Sequence, residues 1–330
     1  MTRNSILFAA AAVAAVLSAA DAYAADKVKY TVPVLIPAYA MYFLAEDKGY
    51  FKEENLDAEL VKAGGGTATP ALMSGEVQFS GSPSAAISAI LRGAPMKLVF
   101  VSADRPSYEL WSGVPEIKTL ADLKGKSVGV ISRGDTHELA IRMALAAHNL
   151  DPNGVSYTPI GVGAGRLAAV ISGALAAASL TLDEVDQVRT QPKLHRIADI
   201  KSIVKLPVGG AVTNAKMVAE QRDVTKRFLR AVMKGRRHMN AFEDDAIASV
   251  QKQSPQTPRE AIRAAYKDSI EVQTDDGTIP LAVQQQEIDA RSDILNIPKD
   301  KRVTPAQVYD FSILAEVNRE LDAAGWKPRK

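Results

Sequence analysis

An internal repeat constrains this chain more than any other feature of its sequence. Residues 65–75 read Gly-Gly-Thr-Ala-Thr-Pro-Ala-Leu-Met-Ser-Gly, and residues 163–173 read Gly-Ala-Gly-Arg-Leu-Ala-Ala-Val-Ile-Ser-Gly. The two stretches align without a gap, and a strand pattern near Lys29 has a counterpart near Lys126 at almost the same offset. Unless two strand–helix units resemble each other by chance, the shared order and offset predict two related lobes.

Short strand patterns alternate with helix patterns throughout both copies. Strands are predicted over 27–36, 58–61, 77–80, 97–102, 127–131, 155–160 and 175–178. Helices are predicted over 39–53 with a break near Gly49, and over 67–74, 84–92, 120–123, 136–147 and 166–172. This alternation predicts parallel sheets covered by helices on both faces. From Thr213 onward the chain is predicted to be mostly helical, with an apolar stripe from Val224 to Phe242 at helical spacing.

The composition excludes several classes of protein. The 330 residues are 47% hydrophobic and 24% charged, which is too apolar for intrinsic disorder and is enough for two modest domains. The chain has no cysteine, which excludes disulfides, thiolate metal sites and a cysteine nucleophile. Its four histidines are scattered, and its net charge of +2 argues against nucleic acid as a partner. We therefore expect neither a metal nor a cofactor.

The first 24 residues have the pattern of a secretory signal peptide. Arg3 provides the positive start, residues 6–20 form an apolar run, and Ala22-Tyr23-Ala24 places small residues before a cleavage site. A membrane anchor is the alternative, but the run is shorter than the roughly 20 residues that a spanning helix needs. We expect cleavage after Ala24 and, since no cysteine is present to carry a lipid, a periplasmic location.

Loops at the carboxyl ends of the predicted strands form the candidate ligand site, because ligands of open α/β sheets lie there, beside helix N-termini. Glycines in these loops allow a ligand to approach backbone N–H groups, and helix N-termini add a partial positive charge. Such loops predict a site for an anion without a catalytic group. The residues expected to line it are Tyr39, Gly65, Gly66, Thr67, Ser82, Ser84, Arg133 and Thr136. Arg133 is expected to pair with the anion, Tyr39 to stack on the ligand, and the others to offer N–H groups or hydroxyls.

Several of these positions also have a purely structural interpretation. The glycines at 64–66 also suit a flexible turn, and Arg133 also suits a surface arginine. Asp135 and Glu138 have the spacing of a capping box, so Asp135 is expected to cap a helix rather than contact ligand. The Gly-x-Gly-x-x pattern that starts at Gly161 has Arg166 where a dinucleotide fingerprint needs its third glycine, which argues against a nucleotide site.

Other side chains are assigned away from the site or left open. Tyr42 is expected to pack the first helix, and His137 is expected at the surface rather than against the ligand. Trp111 suits either a cleft wall or a hinge anchor. No serine has a sequence context that indicates a nucleophile with a base. A basic helix face is interpreted as solvated, with permease docking as the alternative; it comprises Lys226, Arg227, Arg230, Lys234, Arg236 and Arg237.

Three sequence stretches, together with the signal peptide, resemble a known family. They are Ala45-Glu46-Asp47-Lys48-Gly49-Tyr50-Phe51, Leu72-Met73-Ser74-Gly75-Glu76-Val77-Gln78-Phe79, and the run Leu120-Ala121-Asp122-Leu123-Lys124-Gly125-Lys126-Ser127-Val128-Gly129-Val130. The chain resembles the solute-binding components of ABC importers, in the nitrate/sulfonate/taurine group related to thiamine-pyrimidine-binding (NMT1/THI5-like) proteins. The resemblance covers nearly all of the chain after residue 24 and is specific for the family, but it does not identify the solute.

The resemblance implies an α/β, two-lobed periplasmic-binding-protein type II fold, in which each lobe is a mostly parallel sheet flanked by helices. It implies a hinge of two crossings, near 101–113 and 203–213. Lobe 1 is then expected to comprise 25–103 and 210–330, and lobe 2 to comprise 104–209. The expected function is capture of a small organic anion, a sulfonate or carboxylate, in the cleft and delivery to an inner-membrane ABC permease. A monomer is expected, without nucleic-acid partners and without enzymatic activity.

Three alternatives stay open at this point. The same framework suits a neutral heteroaromatic such as a thiamine-type pyrimidine, which needs stacking side chains and fewer cationic donors. A pyrimidine-synthase-like enzyme is disfavoured, because such proteins carry a cysteine-rich stretch and this chain has no cysteine. A periplasmic sensor partner, which binds the same solute but docks on a receptor, is compatible with the sequence.

Overall fold

The computed structural model describes residues 24–161, 163–189 and 191–330. The strands are β1 (Asp26–Val32), β2 (Leu56–Lys62), β3 (Phe79–Ser80), β4 (Met96–Ala103), β5 (Tyr108–Ser112), β6 (Ser127–Val130), β7 (Ser156–Pro159), β8 (Ala177–Thr181), β9 (His195–Asp199) and β10 (Val208–Asn214). They form two sheets, one in the order β2-β1-β3-β10-β4 and the other in the order β7-β6-β8-β5-β9.

Helices flank both sheets and dominate the C-terminal third. They are α1 (Ala40–Asp47), α2 (Tyr50–Glu53), α3 (Gly65–Ser74), α4 (Pro83–Ile90), α5 (Thr136–Ala147), α6 (Ala164–Ile171), α7 (Leu182–Val188), α8 (Ala215–Glu220), α9 (Arg222–Ala241), α10 (Glu243–Gln253), α11 (Arg259–Glu271), α12 (Leu281–Ile294), α13 (Pro305–Val308) and α14 (Ser312–Ala323). Short 3-10 turns occupy Pro37–Tyr39, Leu120–Leu123, Pro152–Gly154, Ile200–Ser202 and Lys299–Lys301.

The two sheets have the same topology, which supports the two related lobes predicted from the repeat. In the first sheet β1 lies between β2 and β3 and is parallel to both. In the second sheet β6 lies in the same way between β7 and β8. In each sheet a strand that enters from the other sheet, β10 or β5, then pairs antiparallel with both of its neighbours. The sheets are therefore mixed rather than mostly parallel, because these entering strands arrive through short connections without a crossover helix.

Most predicted elements lie close to their predicted positions. The helix at Thr136–Ala147 has the predicted bounds. Strand β1 ends at Val32 rather than at residue 36, since Pro33 follows it and proline has no N–H to extend the ladder. Strands β5, β9 and β10 and helix α7 were not predicted; β10 in particular carries Gly209 and Gly210, which are unusual in a strand.

The sheets are joined by two adjacent connections, residues 104–107 and 200–207. The two connections hydrogen-bond to each other, with the Leu206 N–H donating to the Asp104 carbonyl at 2.9 Å. Gly210 lies just after the second connection with φ 138°, and a β-carbon on it would lie 2.0 Å from the Phe100 carbonyl oxygen. Only glycine fits this position, so the backbone where the chain re-enters the first sheet is tightly specified.

Helix α9 supplies the largest apolar face of the first lobe. Phe228 is fully buried and stacks on Phe79 with ring centroids 3.8 Å apart, and Ala231 and Met239 of the predicted stripe are also fully buried. The basic residues on this helix are not free in solvent, in contrast to the predicted solvated face. Lys226, Arg230 and Arg237 pair with acidic residues of α14. Arg230 and Lys234 also pair with Glu54, and Arg227 pairs with Asp26.

Arg236, the remaining member of that basic set, points into the first lobe. Its side chain is buried over the Phe100 ring and donates to Thr274 Oγ1 at 3.0 Å. Burial lowers the pKa of this guanidinium to about 10. Helix α9 is thus a structural helix on both its apolar and its basic sides.

No helix in the described ranges is long and apolar enough to cross a membrane. The predicted signal peptide lies almost entirely in residues 1–23, outside the described residues, so its cleavage after Ala24 stays a prediction.

Candidate ligand-binding cleft

Two glycine- and serine-containing loops of the first lobe, both assigned to the ligand site from the sequence, lie against each other. A β-carbon on Gly65 would lie 2.5 Å from Cβ of Ala85 and 3.7 Å from Cβ of Ser82, so only glycine permits this approach. Tyr39 joins the same group, because its hydroxyl donates to the Gly81 carbonyl at 3.2 Å. The structure therefore brings Tyr39, Gly65 and Ser82 together at the carboxyl ends of β1, β2 and β3.

The first-lobe candidates differ in how buried they are and in whether their hydroxyl groups are already hydrogen-bonded. Gly66 and Thr67 are exposed in the first turn of α3, and Thr67 uses its hydroxyl to donate to the Gly64 carbonyl at 3.1 Å. Ser84 is half-buried, and its carbonyl accepts a hydrogen bond from Ser88. Ser82 is buried, yet its Oγ has no hydrogen-bond partner in the described part of the chain. Ser82 is thus the one of these hydroxyls that is both buried and available.

In the second lobe, the loop before α5 is held by its own carboxylates. Asp135 accepts from the backbone N–H groups of Glu138 and Ser132, both at 2.8 Å, and therefore caps the helix as predicted. Glu138 reaches back to the N–H of Gly134 at 2.8 Å rather than to that of Asp135, so the predicted capping box is only half formed. Burial raises the pKa of Asp135 above its ordinary value. Thr136 follows as the first, half-buried residue of α5.

Arg133 lies away from the first-lobe candidates. It is exposed and lines a shallow groove of about 400 Å³ beside β7, together with Arg142, Asn153 and Tyr157. No hydrogen bond or ion pair joins Arg133 to another described residue. The structure therefore offers no contact between this arginine and Tyr39 or Ser82.

Arg166 is a buried arginine that sequence reasoning noted only as a break in a nucleotide-binding pattern. Its side chain is 1% exposed and forms an ion pair, through Nη2, with the buried carboxylate of Glu184. Its Nε and Nη1 atoms have no hydrogen-bond partner among the described residues. The repeat contained a signal for it: the equivalent position in the first lobe is the buried Ala68, so an arginine in its place is a charge directed inward.

Glu184 links Arg166 to the backbone of both neighbouring loops. Its carboxylate accepts from the Gly163 N–H at 3.0 Å and from the Thr181 N–H and hydroxyl, each at 2.9 Å. The Thr181 contacts form a capping box at the start of α7. Arg166 is consequently fixed to the loops at the carboxyl ends of β7 and β8.

A stacked pair of rings lies next to Arg166. His137 stacks on Tyr108 with ring centroids 3.8 Å apart, and its Nδ1 lies 2.8 Å from the Ser179 hydroxyl. Burial, together with the positive charge of Arg166, holds the pKa of His137 well below its ordinary value, so the ring is neutral. His137 is therefore buried, in contrast to the surface position expected from the sequence.

Tyr108 marks the place where the two lobes meet. Burial raises the pKa of Tyr108 and the carboxylate of Asp135 raises it further, whereas Arg166 and Arg291 act in the opposite direction. The neighbouring tryptophan, Trp111, packs in the second-lobe interior with Leu167 and Val170 and donates its indole N–H to Glu109 at 2.8 Å.

The other assignments near the cleft have clear outcomes. Tyr42 packs in the first-lobe core and donates its hydroxyl to the Gly210 carbonyl at 2.6 Å, as its assignment to packing predicted. Within the described ranges, no cluster of three histidine or acidic side chains has the arrangement of a metal site.

Comparison with known proteins identifies the architecture. The model of the NMT1/THI5-like family matches residues 36–246. The periplasmic aliphatic sulphonate binding protein SsuA of Escherichia coli is 17% identical, with a TM-score of 0.70 over 86% of this chain and 91% of that one. The periplasmic nitrate-binding protein NrtA of Synechocystis PCC 6803 is also 17% identical, with a TM-score of 0.69 over 92% and 91%.

A third solved structure is that of a Bordetella bronchiseptica RB50 protein, which is 24% identical, with a TM-score of 0.73 over 90% of this chain and 98% of that one. No curated protein matches the chain. These likenesses show a two-lobed α/β fold of the periplasmic-binding-protein type, as the sequence predicted.

Proposed function

Because the chain belongs to the NMT1/THI5-like family, we propose that it is the solute-binding component of an ABC importer and captures a small organic anion between its lobes. The proposal includes the lobe boundaries expected from the sequence, 25–103 with 210–330 and 104–209. It also includes a periplasmic location, a monomeric state and delivery of the solute to an inner-membrane permease.

The buried guanidinium of Arg166 is the observation that carries the ligand class. A buried charge is costly unless hydrogen bonds and an opposite charge compensate it. Glu184 compensates one nitrogen of Arg166 and leaves Nε and Nη1 without protein acceptors. An acid group with several oxygen atoms supplies acceptors for both. We therefore assign to Arg166 the charged role that the sequence gave to Arg133.

The surroundings of Arg166 favour an anion further. Helices α3, α4 and α6 begin at the carboxyl ends of strands around the proposed cleft without a side-chain cap, so each N-terminus contributes unpaired N–H groups and partial positive charge. Ser82 adds a buried hydroxyl from the opposite lobe. In this proposal the other contacts are those predicted from the sequence, namely Tyr39, Gly65, Gly66, Thr67, Ser84 and Thr136. A sulfonate or a carboxylate fits this donor set.

Binding without turnover is the role that we assign to these groups. The Ser179 and His137 side chains are hydrogen-bonded, but both are buried, and the depressed pKa of His137 makes it a weak base at neutral pH. The pair therefore supports the fold of the second lobe rather than nucleophilic chemistry.

A neutral planar heteroaromatic is the second candidate solute. The stacked rings of Tyr108 and His137, with Tyr39 opposite, favour it, because such rings attract planar ligands through offset stacking. This candidate does not use the free donors of Arg166, so the two solutes are distinguished by their dependence on that residue.

A thermal-shift screen tests the proposal. Residues 25–330 would be refolded after unfolding, to remove bound solute, and screened against sulfonates, carboxylates, nitrate, bicarbonate and pyrimidines. A ligand at 100 times its Kd stabilises the folded state by about 2.7 kcal/mol. We expect a shift with one anion class that Arg166→Met abolishes and the matched surface variant Arg133→Ala retains.

One outcome would contradict the assignment of the charged role to Arg166, and another would contradict the anion itself. A shift that Arg133→Ala abolishes and Arg166→Met retains would return the charged role to Arg133. A shift with pyrimidines alone, unaffected by either substitution, would instead support the neutral heteroaromatic.

A further inference from the structure

Helix α12 packs against both lobes. Val283 and Ile288 belong to a buried cluster with Leu98 of β4 and Val212 of β10, in the first lobe. On the same helix, Ala290 and Ile294 pack against the core of the second lobe. A helix with apolar contacts on both sides of the hinge is placed to influence how the lobes sit relative to each other.

Arg291 is the charged residue at this junction, and two first-lobe groups hold it in place. Its side chain is 2% exposed and its Nε donates to Glu287 Oε1 at 2.8 Å, one helical turn earlier. Glu287 is 1% exposed and accepts from the Tyr309 hydroxyl through its other oxygen at 2.6 Å. Tyr309 is itself buried, so the order Tyr309–Glu287–Arg291 fixes the direction of the guanidinium.

The far end of this chain of contacts reaches the second lobe. Arg291 Nη1 donates to the carbonyl of Gly134 at 3.5 Å. Gly134 has φ 69°, and a β-carbon on it would lie 3.7 Å from Cγ2 of Ile294. This loop leads directly into Thr136 at the start of α5 and forms part of the proposed ligand site. The first lobe thus contacts one ligand loop of the second lobe through a buried arginine, whose Nη2 has no hydrogen-bond partner among the described residues.

We propose that Arg291 is a positioning residue that joins the lobes: held by Glu287 and Tyr309, it fastens α12 to the 132–135 loop and favours the closed cleft. Removing it leaves Glu287 and Tyr309 in the first lobe with no polar contact to Gly134. The link acts in the ligand-free chain, and only its contribution to solute capture rests on the proposed function.

Interlobe distances in the ligand-free protein test the link. The cysteine-free chain allows a unique pair of spin labels at two exposed positions, introduced as Glu76→Cys in the first lobe and Glu116→Cys in the second. Pulsed electron–electron double resonance then measures the distribution of distances between the two labels, which gives the populations of the closed and the open cleft. Arg291→Met and Tyr309→Phe are compared with Tyr266→Phe, which removes a buried hydroxyl that donates to the Met239 carbonyl inside the first lobe.

We expect Arg291→Met to reduce the closed-to-open ratio by about fivefold, the lower end of couplings between protein sites. Tyr309→Phe should reduce it in the same direction by a smaller factor, and Tyr266→Phe should lower Tm without changing the ratio. If Tyr309→Phe and Arg291→Met leave the ratio as in the wild type, the link is wrong. If Arg291→Met does not fold, an unchanged ratio in Tyr309→Phe is sufficient to overturn it. No solute is used, so the result is independent of the proposed function.

Discussion

Substitutions of Glu184 and Arg166 should affect the stability of the second lobe very unequally. Glu184→Gln removes the carboxylate from Arg166, which is 1% exposed and already has two nitrogen atoms without partners. Breaking a buried ion pair from the acidic side in this way costs about 3–5 kcal/mol, because the remaining charge is uncompensated. We expect a loss of that size in the free energy of unfolding of the second lobe.

Arg166→Met should cost far less. It removes one charged hydrogen bond, worth about 1.5–3 kcal/mol, but it also removes two unpartnered buried donors, each of which costs about 1–3 kcal/mol. The Glu184 carboxylate keeps its contacts with the Gly163 N–H and with both Thr181 groups. The two relieved donors together are worth at least as much as the lost hydrogen bond, so Arg166→Met should not destabilise the second lobe by more than about 1 kcal/mol.

Urea unfolding followed by tryptophan fluorescence measures this difference. The sequence contains two tryptophans, and Trp326→Phe leaves Trp111, in the second-lobe core, as the reporter. A separate reporter is needed because two-lobed proteins do not always unfold in one step. Equal losses for Arg166→Met and Glu184→Gln would refute the reasoning, since they would show that Nε and Nη1 are satisfied in the folded protein.

Four further substitutions test other parts of the cleft. The pKa of His137 in the folded protein lies below its unfolded value of 6.5, so between these two values only the unfolded state binds a proton at this ring. The free energy of unfolding should therefore fall by about 1.4 kcal/mol per pH unit as pH drops below about 6. His137→Gln should weaken this pH dependence, measured as the urea midpoint at each pH. Gly65→Ala should lower the Tm of the protein, because the new β-carbon clashes with Ala85. The β-carbon of Gly66→Ala meets no atom within 4 Å, so this variant should be more stable by about 0.5–1 kcal/mol and have a higher Tm. Equal Tm values for the two variants would contradict the predicted clash. Ser82→Ala removes an unpartnered buried hydroxyl, so Tm should not fall while solute affinity, measured by calorimetric titration, falls about tenfold, and an unchanged affinity would remove Ser82 from the site.

The sequence predicted the order of elements well because the repeat and the periodicities are local signals. Helix α5 has the predicted bounds, and the cap at Asp135 is present. The strands that enter from the opposite lobe were missed, since their partners lie far along the chain: β10 pairs with β3 and β4, which precede it by more than 100 residues. Antiparallel pairing at that separation has no short-range signature.

The sequence predicted which first-lobe loops approach each other, but it did not single out the buried arginine of the second lobe. Backbone glycines and helix starts are visible in the sequence, so the approach of Gly65 to the Ser82 loop followed from the topology. Whether an arginine points inward depends on packing. Arg133 and Arg166 both follow strands of the second lobe, yet one is exposed and the other fully buried. In the sequence, the two arginines differ in that Arg166 aligns with the apolar Ala68 in the repeat.

The chain segments that form the two sheets also determine the order in which the lobes can finish folding. The second sheet is built entirely from β5 to β9, a contiguous segment, whereas β3 and β4 of the first sheet are separated by β10. The first sheet therefore has a gap until residue 214 is available, after the whole second lobe has been synthesised. Since domains generally fold as units, the lobe that begins the chain is the last to be finished, and its β3 and β4 edges stay unpaired until then.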